Sequence, residues 1–485
     1  MSVELSREQR EQLGRAALNW TLTYFDAQSR LPIYPATNPR DLTSLLASPL
    51  PLDPQDAHAV MADFEHIAAN SRHNGHPRMF GYVQSAGSFA GVAGDLLASA
   101  LNQNVTSWRS APAATTIEQQ VIDWLKAMVG FDPAGSGILL SGGSLANFAG
   151  LATALRASTD VDLHRQGVAA LPGKPRVYAS AMTHMSIAKG ASLLGIGKDA
   201  VVAVPVDAAH RMDPVALARQ IESDRAKGYH AICTVATAGD VNTGAIDPLD
   251  AIADVCDTNK LWLHVDGSYG ALAAHSPHVA GAMSALARVD SLALDPHKWL
   301  YAPLDAGCLL VRNQRALRHA FSEGADYIDV VADRDMSDYA YWDHSPELSR
   351  RFRALKIWFV LKIHGARAIQ DAIDHNIAAA KHLATQIQQS SDFDLLAPTP
   401  MSIVCFRHRG GDRRLTEHAS AGQDAFNKRL MLEVQRDGES YLSNAMIGGR
   451  FALRACIVNY RTTTEDVEQL LATIRRVAAR ILRGV

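Results

Sequence analysis

Residues 261–270 read LWLHVDGSYG, and this stretch decides the fold class. Leu261–Val265 is a short, largely apolar run with the length of a buried strand, and Asp266 ends it directly before a glycine-containing turn. Three more runs have the same character: 137–140, 231–235 and 291–294. Helical patterns lie between them, and buried strands that alternate with helices are typical of a mostly parallel sheet covered on both faces. The sequence therefore predicts an α/β fold.

The chain of 485 residues is long enough for several folding units, and its pattern changes twice. Residues 1–85 are helical with little core of their own, so they are expected to pack against the rest of this chain or against a second subunit. Residues 86–365 form the predicted large α/β domain, in which Thr115 and Glu118 have the spacing of a capping box at the start of a helix. Residues 366–485 are predicted to form a small α+β domain.

Composition and charge exclude several classes of protein. Hydrophobic residues make up 47% and charged residues 20%, which is ordinary for a globular protein with a large core. The formal net charge of −3 gives no electrostatic reason to expect nucleic acid or an acidic membrane as the partner. No apolar run approaches the roughly 20 residues of a membrane span, and the polar N-terminus resembles neither a secretory signal nor a transit peptide.

The five cysteines are scattered along the chain, and none forms a C-x-x-C pair. This pattern indicates neither a disulfide framework nor a metal site, and it predicts a reducing, cytoplasmic location. The G-x-G-x-x-G, Walker and H-E-x-x-H motifs are also absent, so a dehydrogenase, a P-loop NTPase and a zinc protease lose their main support.

A glycine-serine turn, Ser141-Gly142-Gly143-Ser144, follows the first predicted strand and precedes a helix. Glycines let backbone N–H groups approach an anion, hydroxyls add donors, and a helix N-terminus carries positive potential. The turn can therefore hold a phosphate group. It is equally compatible with a tight connection that only caps the helix.

Three further positions carry candidate chemistry. Asp266 lies at the carboxyl end of a strand, where open parallel sheets bind ligands, although an aspartate there can also simply cap the next turn. Lys298 follows another strand, and its neighbour Trp299 argues against an ordinary surface lysine. His184 lies near two methionines, a setting in which a hydrogen-bonded core histidine is the more common finding.

The order of these elements along one α/β domain is more informative than any of them alone. A phosphate turn, a histidine, a strand-end aspartate and, about 30 residues later, a lysine together meet the needs of pyridoxal 5'-phosphate. The lysine binds the aldehyde, the aspartate keeps the ring nitrogen protonated, the histidine can stack on the ring, and the turn holds the phosphate. The sequence thus predicts this cofactor.

With these motifs the chain closely resembles the pyridoxal-phosphate-dependent group II amino-acid decarboxylases, the family of aromatic-L-amino-acid, glutamate and cysteine-sulfinate decarboxylases. The most specific matches are His264–Gly270 (HVDGSYG), Asp295–Leu300 (DPHKWL) and Arg350–Phe359 (RRFRALKIWF), and the similarity runs from Pro32 to Thr463. The resemblance implies a fold-type I transferase-like architecture. It also implies an obligate homodimer, with the active site at the subunit interface and the N-terminal segment embracing the partner.

The resemblance assigns a role to each candidate residue. It implies that Lys298 binds the cofactor covalently, that Asp266 pairs with the ring nitrogen and that His184 stacks on the ring. Tyr327, in a strongly acidic stretch, matches the mobile-loop tyrosine that returns a proton to the substrate carbon after carbon dioxide leaves. The other cofactor-binding positions are Gly142, Gly143, Ser144 and Ser291 for the phosphate, Thr237 near the ring, and His297 beside the lysine.

The activity implied by the resemblance is decarboxylation of an L-amino acid to an amine. An aminotransferase shares the fold, the lysine and the aspartate, and Arg454 could bind its substrate carboxylate, although a structural arginine is the favoured interpretation. An aldehyde synthase of the same family uses oxygen in place of the final proton, and such members commonly lack the loop tyrosine or alter the stacking histidine. A catalytically silent cofactor-binding protein is disfavoured by the intact Lys298, Asp266 and His184.

The identity of the substrate is the least determined property. The positions that match the family's substrate pocket are Tyr82, Gln84, Ser85, Thr106 and Trp108. Tyr82 and Trp108 could hold an aromatic ring, whereas Asn74 and Thr106 fall where aromatic members carry Trp and Phe and indicate a more polar or roomier pocket. An aromatic amino acid is the first expectation, followed by a polar or acidic one. No metal, nucleic acid or membrane partner is expected.

Overall fold

The computed structural model describes residues 3–322, 339–410 and 419–483. A seven-stranded sheet forms its larger part: β1 (Ser136–Leu140), β2 (Pro175–Ser180), β3 (Val201–Val204), β4 (His230–Thr237), β5 (Trp262–Asp266), β6 (Ser291–Leu294) and β7 (Gly307–Val311). The spatial order is β1-β7-β6-β5-β4-β2-β3. β3, β2, β4, β5 and β6 run parallel, and β7 is antiparallel to both β6 and β1. The predicted α/β fold with a mostly parallel sheet is confirmed.

Sixteen α-helices surround the two sheets of the described residues. They are α1 (Arg7–Ala27), α2 (Pro39–Leu46), α3 (Ala57–Ala69), α4 (Phe89–Leu101), α5 (Pro112–Val129), α6 (Gly143–Ala157), α7 (Leu163–Gln166), α8 (Ser186–Leu193), α9 (Pro214–Ala226), α10 (Leu249–Asn259), α11 (Ala280–Met283), α12 (Pro296–Trp299), α13 (Gln314–Phe321), α14 (Arg353–Gln389), α15 (Ala419–Asp437) and α16 (Thr464–Leu482). None of these helices combines the length and the hydropathy of a membrane span.

The central strands are buried along nearly their whole length, which explains their continuous apolar sequences. In the parallel ladder Thr237 is paired with Asp266, and Asp266 is paired with Ala293. The carboxyl ends of β4, β5 and β6 therefore lie side by side at one edge of the sheet, where ligands bind in open α/β folds.

The capping box predicted at Thr115 and Glu118 is wrong. α5 begins at Pro112, three residues before Thr115, because proline is well suited to the first turn of a helix. Glu118 is instead fully buried, and its Oε1 accepts hydrogen bonds from Leu139 N at 3.1 Å and from Arg350 Nη2 at 2.5 Å.

The N-terminal helices have no core of their own. α1, α2 and α3 contain no buried residue. Apolar side chains of these helices, such as Leu18, Leu22 and Leu45, are exposed. This agrees with the expectation that the segment needs other surfaces to cover it.

The C-terminal part holds a second, antiparallel sheet of four strands: β8 (Phe393–Leu395), β9 (Ile403–His408), β10 (Ser443–Ile447) and β11 (Arg450–Cys456). α16 begins after Thr463, whose side chain forms a capping box with Asp466. α14 is interrupted at Gly365, where φ is 80° and ψ is 150°, a conformation that favours glycine. The interruption coincides with the predicted end of the large domain, and the domain limits themselves stay a prediction.

Candidate active site

A cavity of about 360 Å³ lies where the carboxyl ends of β4, β5 and β6 meet the N-terminus of α6. Strand ends that share one edge bring together residues that are distant in sequence. The predicted site residues that line the cavity are Gly142, Gly143, Ser144, His184, Thr237, Asp266, His297 and Lys298. Most of the residues that were chosen from the sequence thus converge on one place.

The glycine-serine turn forms the start of α6 at the wall of this cavity. A Cβ atom at Gly143 would overlap the Ser268 hydroxyl and would lie 2.8 Å from Asp295 Oδ2, so only glycine allows this close approach. A Cβ atom at Gly142 would lie 3.3 Å from the His297 ring. Because the first N–H groups of a helix have no partner within it, α6 offers hydrogen-bond donors and positive potential to an anion in the cavity.

Asp266, the last residue of β5, is 6% exposed and is held from both sides. Its Oδ2 accepts a hydrogen bond from Asn147 Nδ2 at 2.9 Å, and its Oδ1 accepts one from Ser268 N at 3.1 Å. Burial alone would raise the pKa of Asp266, but Ser268, the positive charge of Lys298 and the Asn147 amide together hold the pKa below its ordinary value. The carboxylate is therefore ionised and can keep a basic nitrogen protonated.

Lys298 lies on the short helix α12, directly after β6. Its Nζ is 2.9 Å from Oδ2 of Asp295, which is 2% exposed, so the amine is held in place by a buried carboxylate. The neighbouring His297 forms a hydrogen bond through Nδ1 with the Ala306 carbonyl at 2.6 Å. Burial lowers the pKa of His297, and the nearby Asp295 only partly opposes this effect. The amine has the position and the counter-ion that a group reacting with an aldehyde needs.

His184 lies in the loop between β2 and α8, on the cavity wall. Its Nδ1 is 2.9 Å from Ser186 Oγ and accepts a hydrogen bond from Ser186 N at 3.3 Å. Burial lowers the pKa of His184, while the negative charge of Asp266 opposes the shift and the positive charge of Lys298 adds to it. The ring is therefore a neutral imidazole whose proton is on Nε2, the nitrogen that is not turned toward Ser186.

Two buried polar atoms at the cavity have no hydrogen-bond partner among the described residues: Thr237 Oγ1 and Asp295 Oδ1. Buried polar atoms are nearly always hydrogen-bonded in folded proteins, so these atoms indicate a polar ligand. The cavity also offers the start of α6 to an anion, the Asp266 carboxylate to a ring nitrogen and the Lys298 amine to an aldehyde. The residues present therefore fit pyridoxal 5'-phosphate.

Ser291 does not belong to this cavity, which corrects its assignment to the phosphate. It is the first residue of β6, at the opposite end of the strand from Asp295, and it is fully buried. Its hydroxyl accepts a hydrogen bond from Trp262 Nε1 at 2.9 Å and lies 2.8 Å from His264 Nδ1. The match in sequence was real, but a residue at the amino end of a parallel strand cannot reach a site at the carboxyl ends.

The five predicted substrate-pocket residues do not line the cavity either. Ser85 contacts the wall of the cavity, because the Ser85 hydroxyl donates a hydrogen bond to the His297 carbonyl at 2.9 Å. Gln84 Oε1 accepts a hydrogen bond from Arg72 at 2.9 Å, and the same guanidinium lies 5.0 Å from the centre of the Tyr82 ring. Ser85 therefore contacts the cavity wall, whereas Gln84 and Tyr82 share the Arg72 guanidinium.

Thr106 and Trp108 lie on a segment that pairs with the chain around residue 340. Tyr341 N donates to the Thr106 carbonyl at 2.7 Å, and Trp108 N donates to the Tyr339 carbonyl at 3.0 Å. Within one chain, therefore, these two residues are not part of the cavity. Tyr327, the predicted proton donor, lies outside the described residues.

Arg454, the residue that an aminotransferase would use for a substrate carboxylate, is 6% exposed. Its Nε donates to Ser443 Oγ at 3.0 Å, and its Nη1 donates to the Val241 carbonyl at 2.5 Å. Val241 lines the cavity and Arg454 does not, so the arginine supports the cavity wall from behind. This agrees with the structural interpretation.

Among the cavity-lining residues that the sequence did not predict, three contact predicted site residues: Asn147, Ser268 and Asp295. Asn147, on the second turn of α6, and Ser268, which follows β5, each lie a few positions from a predicted residue. Asp295 stands within the quoted DPHKWL motif, three residues before the lysine, and this spacing places both on one face of a helical turn. The signal for Asp295 was therefore present in the sequence, whereas that for Asn147 depends on the tertiary contact.

Comparison with known proteins gives the same result as the geometry. Residues 39–409 match the model of the pyridoxal-dependent decarboxylase conserved domain. The chain is 32% identical to the aromatic-L-amino-acid decarboxylase of Bacillus atrophaeus over 481 residues, which cover 99% of this chain and 98% of that protein. It is 30% identical to a phenylacetaldehyde synthase of a Rosa hybrid cultivar over 470 residues, which cover 95% and 92% of the two chains.

A solved structure shows that the likeness extends to the whole fold. The tryptophan decarboxylase of Catharanthus roseus in complex with L-tryptophan superimposes with a TM-score of 0.90 at 26% identity, covering 99% of this chain and 100% of the other. The family model covers well over half of the sequence and contains every residue that lines the cavity. The chain therefore belongs to the family of pyridoxal-phosphate-dependent amino-acid decarboxylases.

Proposed function

We propose that this enzyme removes the carboxyl group of an aromatic L-amino acid and releases the corresponding amine, with the cavity described above as its active site. The observation that carries the proposal is the convergence of the Lys298 amine, the Asp266 carboxylate and the start of α6 on one cavity. These groups correspond to the aldehyde, the ring nitrogen and the phosphate of the cofactor. The named relatives support the aromatic substrate.

The chain contributes position and charge to the reaction. Pyridoxal 5'-phosphate, when bound, supplies the electron-accepting ring that takes up the electron pair as carbon dioxide leaves. Asp266 has a lowered pKa and therefore holds a proton on the ring nitrogen. Lys298 binds the aldehyde through Nζ, and Asp295, 2.9 Å away, keeps that amine inside the cavity beforehand. His184 covers the ring as a neutral imidazole, and Gly142, Gly143 and Ser144 hold the phosphate.

The return of a proton to the substrate carbon is assigned to Tyr327. This part of the proposal depends on the resemblance alone. Two other tyrosines, Tyr339 and Tyr341, are poor substitutes, since their rings pack against each other at 4.9 Å and Tyr339 also stacks on His344. Burial also raises the pKa of Tyr341 well above its ordinary value, and Tyr341 packs under the Arg350 guanidinium at 4.1 Å.

We propose further that the enzyme is a cytoplasmic homodimer. Two observations support the dimer: α1–α3 bury none of their residues, and Thr106 and Trp108 lie outside the cavity of their own chain. A second subunit would cover the N-terminal helices and bring its own copy of the 104–108 segment toward this site. The cytoplasmic location is supported by the five cysteines, which are all free and buried.

A second substrate class, the acidic amino acids, is favoured by one observation. Arg72 donates to the amide oxygens of Asn74 and Gln84 at 2.9 Å each and lies over the Tyr82 ring. No ion pair within the described residues involves Arg72. The Arg72 guanidinium has only neutral partners and contacts Gln84, the neighbour of Ser85 at the cavity wall, so it would attract an anionic side chain.

The experiment is a panel of L-amino acids offered to the purified, cofactor-loaded enzyme, with carbon dioxide, amine, aldehyde, ammonia and hydrogen peroxide measured. The panel contains tryptophan, tyrosine, phenylalanine, glutamate, aspartate and cysteine sulfinate, and Lys298→Ala is the inactive control. Amine from the aromatic members supports the proposal. Faster turnover of the acidic members, lost in Arg72→Gln, would replace it with the second class. Aldehyde and peroxide in place of amine would identify an aldehyde synthase, as in the rose relative.

A further inference from the structure

An unbroken chain of side-chain hydrogen bonds runs along one face of β5, beneath α6, and ends at the Asp266 carboxylate. Trp262 Nε1 donates to Ser291 Oγ at 2.9 Å, and Ser291 Oγ lies 2.8 Å from His264 Nδ1. His264 Nε2 lies 2.9 Å from Asn147 Oδ1, and Asn147 Nδ2 donates to Asp266 Oδ2 at 2.9 Å. The chain connects the amino end of β6 with the carboxyl end of β5.

Both ends of this chain require the same direction of hydrogen bonding. An ionised carboxylate only accepts, so Asn147 must turn its amide nitrogen to Asp266 and its oxygen to His264. His264 must then carry its proton on Nε2 and accept at Nδ1 from the Ser291 hydroxyl. From the other end, the indole of Trp262 only donates, which leaves the Ser291 proton free for His264. Burial lowers the pKa of His264 to about 4, so the ring has one proton to place.

The chain branches at Asn147. The second amide hydrogen is directed at Ser186 Oγ, which is 2.9 Å away. Ser186 Oγ in turn lies 2.9 Å from His184 Nδ1, and the Ser186 backbone N–H donates to the same nitrogen. One amide group thus holds the Asp266 carboxylate and, through Ser186, keeps the proton of His184 on Nε2.

Packing leaves these residues no alternative partners. Ser291 and His264 are fully buried, and Asn147 is 1% exposed. The His264 ring lies against Gly150 of α6, where a Cβ atom would be 2.5 Å from His264 Cε1 and 2.7 Å from Nδ1. A methyl group would therefore displace the ring, and a reversed Asn147 amide would direct its oxygen at the Asp266 carboxylate.

We propose that Asn147 is the positioning residue of this active site, and that Trp262, Ser291 and His264 fix its amide so that Asp266 and His184 are oriented together. The inference rests on the proposed contact between Asp266 and the ring nitrogen of the cofactor. Neither Ser291 nor His264 touches the cavity. Their effect on the cofactor is exerted through Asn147.

The test compares two cofactors on the apo form of the full enzyme by equilibrium dialysis: pyridoxal 5'-phosphate and its analogue in which C–H replaces the ring nitrogen. In the wild type the natural cofactor binds more tightly, because only it pairs with Asp266. Asn147→Leu should raise the dissociation constant of the natural cofactor about tenfold to a hundredfold, the effect of one charge-assisted hydrogen bond. The dissociation constant of the analogue should rise by a clearly smaller factor, because the analogue loses only the orientation of His184 through Ser186.

The variants Ser291→Ala and His264→Leu should show the same selective loss, to a smaller extent. His264→Gln keeps an N–H group for Asn147 Oδ1 and should restore most of the preference. The matched control is Thr234→Val, which removes a fully buried hydroxyl without a partner from the neighbouring strand β4 and should leave both constants unchanged.

Two outcomes distinguish the inference from the proposed function. If the wild type binds both cofactors equally, the contact between Asp266 and the ring nitrogen fails. If the wild type discriminates but Asn147→Leu and Ser291→Ala weaken both cofactors by the same factor, that contact stands and the positioning role of Asn147 is overturned. If Asn147→Leu or Ser291→Ala does not fold, the folded His264→Gln variant decides instead. A lost preference for the natural cofactor in that variant, despite the N–H donor of the glutamine, contradicts the inference.

Discussion

The buried ion pair between Glu118 and Arg350 offers the sharpest test of how the site is held. Both side chains have no solvent exposure. Arg350 also donates to the carbonyls of Val105 and Leu139, and Glu118 accepts from Leu139 N. The pair therefore clamps β1 two residues before Ser141, where the phosphate turn begins. Glu118→Gln keeps the shape and the hydrogen-bonding oxygen but removes the counter-charge.

The expected loss follows from leaving one charge buried without its partner. Removing one partner of a buried pair typically costs about 3–5 kcal/mol of unfolding free energy. With an unfolding entropy of about 2.1 cal/mol/K per residue over 485 residues, this corresponds to a fall in Tm of about 3–5 °C. The cofactor should also bind more weakly, because the start of α6 is less well fixed.

The assay is thermal unfolding of the apo and loaded forms, at one scan rate and one protein concentration. The control is Glu433→Gln, since Glu433 pairs near the surface with Arg436 at 2.6 Å and with Arg480 at 3.9 Å, and surface pairs contribute about 1 kcal/mol at most. A Glu118→Gln protein whose Tm lies within about 1 °C of the wild-type Tm, the effect expected for the control, would refute the reasoning.

Three further predictions concern the cavity itself. Asp266→Asn should retain some cofactor but lose most of its activity, because a neutral amide cannot hold the ring nitrogen protonated; cofactor content by absorbance and amine formation check this together. Gly150→Ala should weaken cofactor binding by displacing His264, whereas Gly14→Ala, in open space on α1, should leave the dissociation constant unchanged. Tyr327→Phe should lower amine formation about 10²–10⁴-fold and yield some aldehyde and peroxide in air; unchanged amine formation without aldehyde would exclude Tyr327 as the proton donor.

The sequence by itself determined the fold class and about half of the residues that line the cavity. The strands of the central sheet are fully buried, so their apolar runs are readable without knowledge of their neighbours. Asp266 and Lys298 each follow such a strand, and the rule that parallel strands end at one edge brings them together. The glycine-serine turn was recognisable because its chemistry depends on four adjacent residues.

Only the tertiary structure decided what lies behind these residues. Glu118 has the spacing of a helix cap, yet it serves as the counter-ion of Arg350, which is 232 positions away in sequence. Ser291 matches a phosphate-binding position, yet the direction of β6 places it at the far end of the sheet. Asn147 joins His264 and Asp266 across separations of 117 and 119 positions. Such contacts have no local pattern, because burial makes any polar group seek a partner and the fold alone determines which one is within reach.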